Sequence, residues 1–143
     1  MRRALLLVAL ALTGCPTIDL GDTPVTPPLC RPSLEDLKKP GGVWDIAVNP
    51  PDSPAKSCVA QAGCHAQATG RSALRLIPTP TTDAEWSQNL DEIAQFLDCA
   101  SPAASLFVTK PEAGVESHLG GDLWENCSTC DPVKTVVAWI AAQ

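Results

Sequence analysis

The sequence predicts a small, mainly α-helical domain with long loops, and three observations support this fold class. Apolar residues recur at helical spacing in residues 82–99 and 132–142. The segments between them are rich in Pro, Gly, Ser and Thr, which favours loops over strands. The chain has four Trp, two Phe and no Tyr. Because such a core is modest, we expect cross-links or a cofactor to contribute to stability.

The amino terminus predicts export and attachment to a membrane. Two arginines precede an apolar run at residues 4–12, which is too short to span a bilayer. The sequence LTGC at residues 12–15 resembles the lipobox of bacterial lipoproteins. This resemblance implies cleavage before Cys15, lipidation of Cys15 and a lipoprotein of the cell envelope, facing the periplasm or the surface. Pro16 stands where inner-membrane lipoproteins can carry aspartate, which favours the outer membrane. The alternative is an ordinary secretion signal followed by an incidental cysteine.

Three regions follow from this interpretation: a signal peptide at 1–14, a Pro-rich tether at 15–33 and a folded domain at 34–143. Cleavage leaves 129 residues, enough for one small domain and its tether. Loss of the two signal arginines leaves 8 basic and 16 acidic residues, a formal charge of −8. An acidic surface repels nucleic acid, so the only partners we expect are the membrane, through the lipid, and another protein.

The predicted domain begins with short elements. Ser33 is suited to cap a helix over residues 34–39, which Pro40 and the two glycines after it end. The alternating apolar residues of segment 44–48 allow at most one short strand before Asn49-Pro50-Pro51.

Two longer helices are predicted further along the chain. In residues 82–99 one face carries Trp86, Leu90, Ile93 and Leu97. In residues 132–142 Asp131 is a suitable N-cap and Pro132 suits the first helical position. The apolar stripe of that second helix consists of Val133, Val136, Val137 and Ile140.

Cysteine usage fits an exported, disulfide-permissive protein. Besides Cys15 there are six cysteines: Cys30, Cys58, Cys64, Cys99, Cys127 and Cys130. Six cysteines allow fifteen pairings. If Cys58 and Cys64 are used for another purpose, the remaining four allow three pairings, and closure of Cys127 on Cys130 would then leave Cys30 to pair with Cys99. A zinc site of four cysteines is the rival account, and disulfides are favoured over it outside the cytoplasm.

Residues 57–70, SCVAQAGCHAQATG, contain Cys58 and Cys64 followed directly by His65. This segment resembles the haem attachment motif of c-type cytochromes, with five residues between the cysteines where the common motif has two. The segment GRSALRLIP resembles the glycine- and leucine-rich stretch that follows the motif in divergent members. SPAASLFVTKPEAGVESHLGGDLW resembles their Pro-x-x-Ser-x-Leu-x-x-Lys segment and following His-Gly-rich loop, and TVVAWIAAQ their closing helix. The resemblance covers residues 43–143.

This resemblance implies a small cytochrome-c-like helical domain with long loops around a covalent haem c. Cys58 and Cys64 would form the thioether bonds, and His65 and His118 would be the proximal and distal ligands of the haem iron. Further residues implied around the haem are Gly120 and Gly121 against the porphyrin, Lys110 and Arg75 near the propionates, and Trp139 with Ile140 near the haem edge. Cys30, Cys99, Cys127 and Cys130 remain disulfide candidates.

Axial ligation by two histidines leaves no open iron position, which favours electron transfer over catalysis. Methionine is not a candidate ligand, because Met1 is the only one and leaves with the signal peptide. Without His118 the iron would be five-coordinate or bound by a weaker group such as lysine. We therefore expect a lipid-anchored monohaem cytochrome that is an electron carrier, not an enzyme, and serves a redox partner protein. The alternative is a disulfide-bonded, cofactor-free lipoprotein that acts as a binding or scaffold module, with Cys58 and Cys64 in a disulfide loop.

Overall fold

A computed structural model of the chain describes residues 30–60, 64–68, 70, 72–116, 118, 123–124 and 131–143. The predicted signal peptide and most of the predicted tether lie outside these residues, as do Cys15, Gly120, Gly121, Cys127 and Cys130.

Helices dominate the described residues. They are α1 (Leu34–Lys38), α2 (Asp83–Ala94), α3 (Leu106–Thr109) and α4 (Asp131–Ala141), with a π-helical turn at Trp44–Val48 and 3₁₀ turns at Pro54–Lys56 and Pro102–Ala104. These residues contain no extended strand, only isolated parallel bridges that join Ala66 to Leu76 and Glu112 to Trp124. The prediction of a mainly α fold is therefore confirmed. None of the described helices has the length and apolar character needed to cross a membrane.

Helix α1 begins and ends where local chemistry predicts. The Ser33 hydroxyl accepts a hydrogen bond from the backbone N–H of Asp36 at 3.2 Å, which caps the first turn. Beyond the helix, Gly41 has a φ of 67°. A Cβ on Gly42 would lie 2.5 Å from the Asp36 carbonyl oxygen, so only glycine fits this tight exit.

The short strand allowed at residues 44–48 was wrong, because this segment is a π-helical turn. Its buried residues are Trp44, Ala47 and Val48, and the last two lie three and four positions after Trp44, which is helical spacing. A strand would instead have buried Ile46 together with Trp44 and Val48. The Trp44 ring packs edge-to-face on Trp86 of α2, with centroids 5.1 Å apart and planes at 81°. This aromatic contact favours the helical turn, because it places Trp44 against the core.

Helix α2 starts at a complete capping box. The Thr82 hydroxyl accepts from the N–H of Glu85, and the Glu85 carboxylate accepts from the N–H of Thr82 at 2.9 Å. The helix ends at Ala94, earlier than predicted, because the Phe96 and Leu97 N–H groups donate to carbonyls three residues back. Phe96 and Leu97 nevertheless pack against the core, as the apolar pattern predicted.

We expect Thr82→Ala to lower the free energy of unfolding by about 1 kcal/mol, because it removes one half of this capping box. Hydrogen bonds from the backbone of Thr81 and Thr82 lower the pKa of Glu85 to about 2. The Glu85 carboxylate is therefore ionised at pH 7 and makes its own bond of the capping box. Urea unfolding at pH 7 measures the change, and Thr79→Ala is the matched control on an exposed threonine. Equal stability of the two variants would contradict the prediction.

Helix α4 closes the fold. Its buried side chains are Val133, Val136, Trp139 and Ile140. Three of these belong to the predicted stripe, whose fourth member Val137 is only half-buried, and Trp139 is buried in addition. The helix packs against the π-helical turn, α3 and the turn at Pro102–Ala104, while α1 packs against α2. The structure extends α4 to Asp131, the residue predicted to be its N-cap.

A disulfide joins Cys30 to Cys99, with their Cα atoms 5.3 Å apart. This is one of the pairings that the sequence left open, and it connects the amino-terminal segment to the loop after α2. Gln143 at the carboxyl terminus donates hydrogen bonds to both sulfur atoms. Arg31 forms an ion pair with Asp91 at 2.7 Å. The last residues of the predicted tether therefore contact the helical domain.

Candidate functional site

An apolar cleft opens on one side of the domain. Its walls include Leu74, Phe96, Leu106, Phe107, Pro111 and Trp124. The cleft has a volume of about 190 Å³. Cys58, His65, Lys110 and His118 also line it, so the structure brings four of the sequence-predicted residues together in one place.

Both histidines of the chain lie in this cleft, although they are 53 residues apart in sequence. The imidazole rings of His65 and His118 are nearly parallel, with an angle of 11° between their planes and 5.9 Å between their centroids. This separation is within the roughly 4.5–7 Å found between the centroids of neighbouring aromatic rings.

The backbone around His65 is fixed by α2. The carbonyl of His65 accepts from the N–H of Leu76 at 2.8 Å, and the Leu76 carbonyl accepts from the N–H of Gln67 at 2.7 Å. Next to this bridge, the buried Asn89 side chain of α2 accepts from the Ile77 N–H at 2.7 Å and donates to its carbonyl at 3.0 Å. The histidine is thus attached to the longest helix through one buried amide.

The His65 ring is kept neutral by its surroundings. Its Nδ1 lies 2.7 Å from the Ser72 hydroxyl and 3.3 Å from the Leu74 carbonyl oxygen. Burial has the largest effect and lowers the pKa of His65. The Leu74 carbonyl raises this pKa, and the nearby His118 and Arg75 lower it by smaller amounts. A neutral imidazole keeps a lone pair, which is the form that binds a metal.

The two cysteines of the motif are free thiols, and Cys58 is buried while Cys64 is half-buried. The backbone N–H of His65 donates to the carbonyl of Cys58 at 3.3 Å. In an attachment motif with two intervening residues, the histidine is four residues after the first cysteine, at the spacing of an α-helical hydrogen bond. Here a bond between the same two positions spans seven residues. It keeps Cys58 and His65 adjacent despite the longer spacing.

Cys58 is held against the core by a second backbone bond, from its N–H to the Val48 carbonyl at 2.8 Å. Its thiol donates a weak hydrogen bond to the Ala47 carbonyl at 3.7 Å. Burial, with a smaller contribution from the Cys64 thiol, raises the pKa of Cys58 to about 12. The thiol is therefore neutral at physiological pH.

In the folded, haem-free chain we expect iodoacetamide to alkylate Cys58 on the order of 10³-fold more slowly than in urea-unfolded chain. The reason is the rise in pKa from 9.0 to about 12, which reduces the reactive thiolate. Peptide mass spectrometry after timed labelling at pH 8 gives both rates. A folded-state rate close to the unfolded one would show that the Cys58 thiol is accessible and ionises normally.

His118 belongs to a loop whose two ends meet. The Pro111 carbonyl accepts from the N–H groups of Leu123 at 3.0 Å and Trp124 at 2.9 Å, and the Trp124 carbonyl accepts from Ala113 at 2.9 Å. The bridge at Glu112 and Trp124 completes this junction. The junction directly follows α3, and both His118 and Trp124 line the cleft.

The structure places three further residues that were expected near a haem differently. Lys110 lines the cleft, and its ammonium pairs with the Glu116 carboxylate at 2.7 Å. Arg75 is close enough to His65 to lower its pKa. Trp139 is not among the cleft residues, because its indole N–H donates to the Ser33 carbonyl at 2.9 Å. The aromatic wall is instead supplied by Trp124, Phe96 and Phe107.

Sequence reasoning missed Ser72 and Trp124 as site residues. Both lie inside segments that carry the resemblance to c-type cytochromes, but neither residue type distinguishes itself there from an ordinary loop or core position. Their roles follow from hydrogen bonds and packing that join distant parts of the chain. Phe96 and Phe107 were assignable only to the core.

Comparisons with protein-family models, curated protein sequences and solved structures find no match to this chain.

Proposed function

We propose that this protein is a lipid-anchored monohaem c-type cytochrome that transfers electrons at the cell envelope. In this proposal Cys58 and Cys64 attach the haem, and His65 and His118 are its axial ligands. The observation that carries the proposal is the pair of parallel histidine rings at 5.9 Å across an apolar cleft that a free cysteine also lines.

The distance between the rings suits one metal ion bound by both. Metal–imidazole bonds are about 2 Å long, and two collinear bonds place the ring centroids about 6 Å apart. Parallel rings at 5.9 Å fall at this separation. Rings that pack on each other also reach this separation. The apolar cleft that both histidines share with a free cysteine therefore adds the support for a common metal ion.

The thiols also suit the proposal. Cys58 lies in the cleft wall beside His65, and Cys64 directly precedes that histidine. Because neither thiol is in a disulfide, both remain available for thioether bonds. The bond from His65 to the Cys58 carbonyl explains how the longer motif keeps the arrangement of the shorter one.

The cleft volume of about 190 Å³ is smaller than the roughly 300–1,000 Å³ of pockets that surround a ligand of drug size. A haem held by His65 and His118 would therefore be only partly enclosed, with Phe107 and Trp124 supplying apolar lining.

The haem iron would supply one-electron exchange between its ferric and ferrous states. His65 and His118 would hold the iron through imidazole nitrogens, and the apolar walls of the cleft would exclude water from it. Axial ligation by two histidines gives no open position for substrate, so the proposed activity is electron carriage. The formal charge of −8 after cleavage favours a basic surface on the redox partner protein.

The test is the covalent mass of the full-length chain, produced with and without a c-type maturation system. We expect a mass increase of one haem that survives denaturation and reduction, together with the visible spectrum of a low-spin cytochrome. Cys58→Ala/Cys64→Ala is the matched control, because it removes the attachment points and leaves both histidines. Its haem should be lost on denaturation.

A chain that carries no haem after maturation, and that gains a Cys58–Cys64 disulfide instead, would overturn the proposal. That result would favour the cofactor-free, disulfide-bonded lipoprotein. Intact mass before and after reduction separates the two outcomes, because reduction adds hydrogen to a disulfide but leaves a thioether intact.

A further inference from the structure

We infer that Ser72 is a positioning residue for His65: its hydroxyl sets the imidazole tautomer so that Nε2 is the ligand atom, and makes that nitrogen a stronger donor. The predicted effect on a haem iron rests on the proposed function. The tautomer itself is a property of the chain without haem.

Three polar atoms meet at this point. The His65 Nδ1 atom is 2.7 Å from the Ser72 oxygen and 3.3 Å from the Leu74 carbonyl oxygen, and the Ser72 hydroxyl lies 2.8 Å from the same carbonyl. The carbonyl can only accept, and the hydroxyl has one proton to donate. The positions of the hydrogens then follow from the number of donors.

If Nδ1 carries the proton, it donates to the Ser72 oxygen, and the hydroxyl donates onward to Leu74. Each atom of the triangle then has a partner. If Nδ1 carries no proton, the Ser72 hydroxyl can donate to Nδ1 or to the Leu74 carbonyl, but not to both. The Nδ1 lone pair then also faces the carbonyl lone pairs at 3.3 Å. A partly buried acceptor without a donor is unfavourable, so the Nδ1–H form is favoured.

This arrangement leaves the lone pair on Nε2. A hydrogen bond from the distal N–H of a metal-bound imidazole makes the ligating nitrogen more basic. Greater basicity stabilises the ferric state over the ferrous state, so the hydroxyl of Ser72 lowers the reduction potential of a haem bound there. The position of Ser72 is maintained by its own bond to Leu74, next to the bridge that joins Ala66 and Leu76.

The experiment compares wild type with Ser72→Ala and Ser72→Thr, and uses Ser101→Ala as a control because Ser101 is an exposed serine that caps no helix through its side chain. Full-length chain is produced without the maturation system for ¹⁵N NMR of the histidine side chains. A second batch, matured with haem, is used for the midpoint potential and the covalent mass. The conservative Ser72→Thr variant keeps the hydroxyl.

We expect the Nδ1–H tautomer of His65 in wild type, a mixture of tautomers in Ser72→Ala, and recovery in Ser72→Thr. The potential should shift upward in Ser72→Ala only, with unchanged haem content. A wild-type Nε2–H tautomer, or a Ser72→Ala variant with unchanged tautomer and potential, overturns the inference. Absence of haem from every variant would instead refute the proposed function, while the tautomer measurement still decides the role of Ser72.

Discussion

Replacement of His118 by alanine is expected to convert the haem iron from a six-coordinate, low-spin centre to a five-coordinate, high-spin one. His118 is the second histidine of the cleft, with its ring parallel to that of His65. The chain has no third histidine, and no methionine beyond Met1 that could replace it. Visible absorption and electron paramagnetic resonance spectra of the ferric protein measure the change, which should be complete.

Two controls isolate the effect of the lost ligand. Added imidazole should restore the low-spin spectrum, because the variant leaves a cavity of the ligand's own shape. The covalent haem content should not change, since thioether bonds rather than His118 retain the haem. Lys110 lines the same cleft, so His118→Ala/Lys110→Ala tests whether lysine binds in place of histidine. A low-spin spectrum that survives in both variants would show that His118 is not the distal ligand.

Removal of the Cys30–Cys99 disulfide is expected to lower the free energy of unfolding by about 4 kcal/mol. The cross-link closes a loop between residues 69 positions apart, which restricts the unfolded chain strongly. Small domains are stable by roughly 5–15 kcal/mol, so this loss removes a large part of the total. Urea unfolding of the haem-free Cys30→Ala/Cys99→Ala variant measures it.

Cys58→Ala is the matched control for this measurement, because Cys30 and Cys58 are equally buried at 7% exposure and Cys58 is not cross-linked. Its loss of stability reports the packing of one thiol alone. The wild-type protein in the presence of a reductant should approach the stability of the double variant. Equal stability of wild type and double variant would contradict the prediction that the disulfide closes a long loop in the folded protein.

The elements of the fold were predictable where local chemistry decides them. Ser33 and Thr82 begin their helices through hydrogen bonds to residues three positions away, so a short stretch of sequence contains the whole interaction. The turn at Trp44–Val48 was not predictable in the same way. Its alternating apolar residues allow a strand, and the contact between Trp44 and Trp86, 42 positions along the chain, is what favours the helical turn.

The residues of the candidate site also fall into those that the sequence predicts and those that it does not. Cys58, Cys64 and His65 could be selected from the sequence because they form a contiguous motif, and His118 because it is the second of two histidines. Ser72 and Trp124 could not be selected, because a serine or a tryptophan in a loop has no pattern that reports its neighbours. Their importance depends on the hydrogen bonds that bring residues 65, 72 and 74 together and on the junction that joins residues 111 and 124.

The mainly α class, the starts of α1 and α2 and the set of candidate ligands and thiols followed from sequence alone. Helical periodicity, capping and the rarity of histidine can be recognised within a few residues or by counting. Which cysteines pair and whether the histidines meet were decided only by the tertiary structure. These contacts cross 69 and 53 positions of chain, so they depend on how distant segments pack together and not on any local preference.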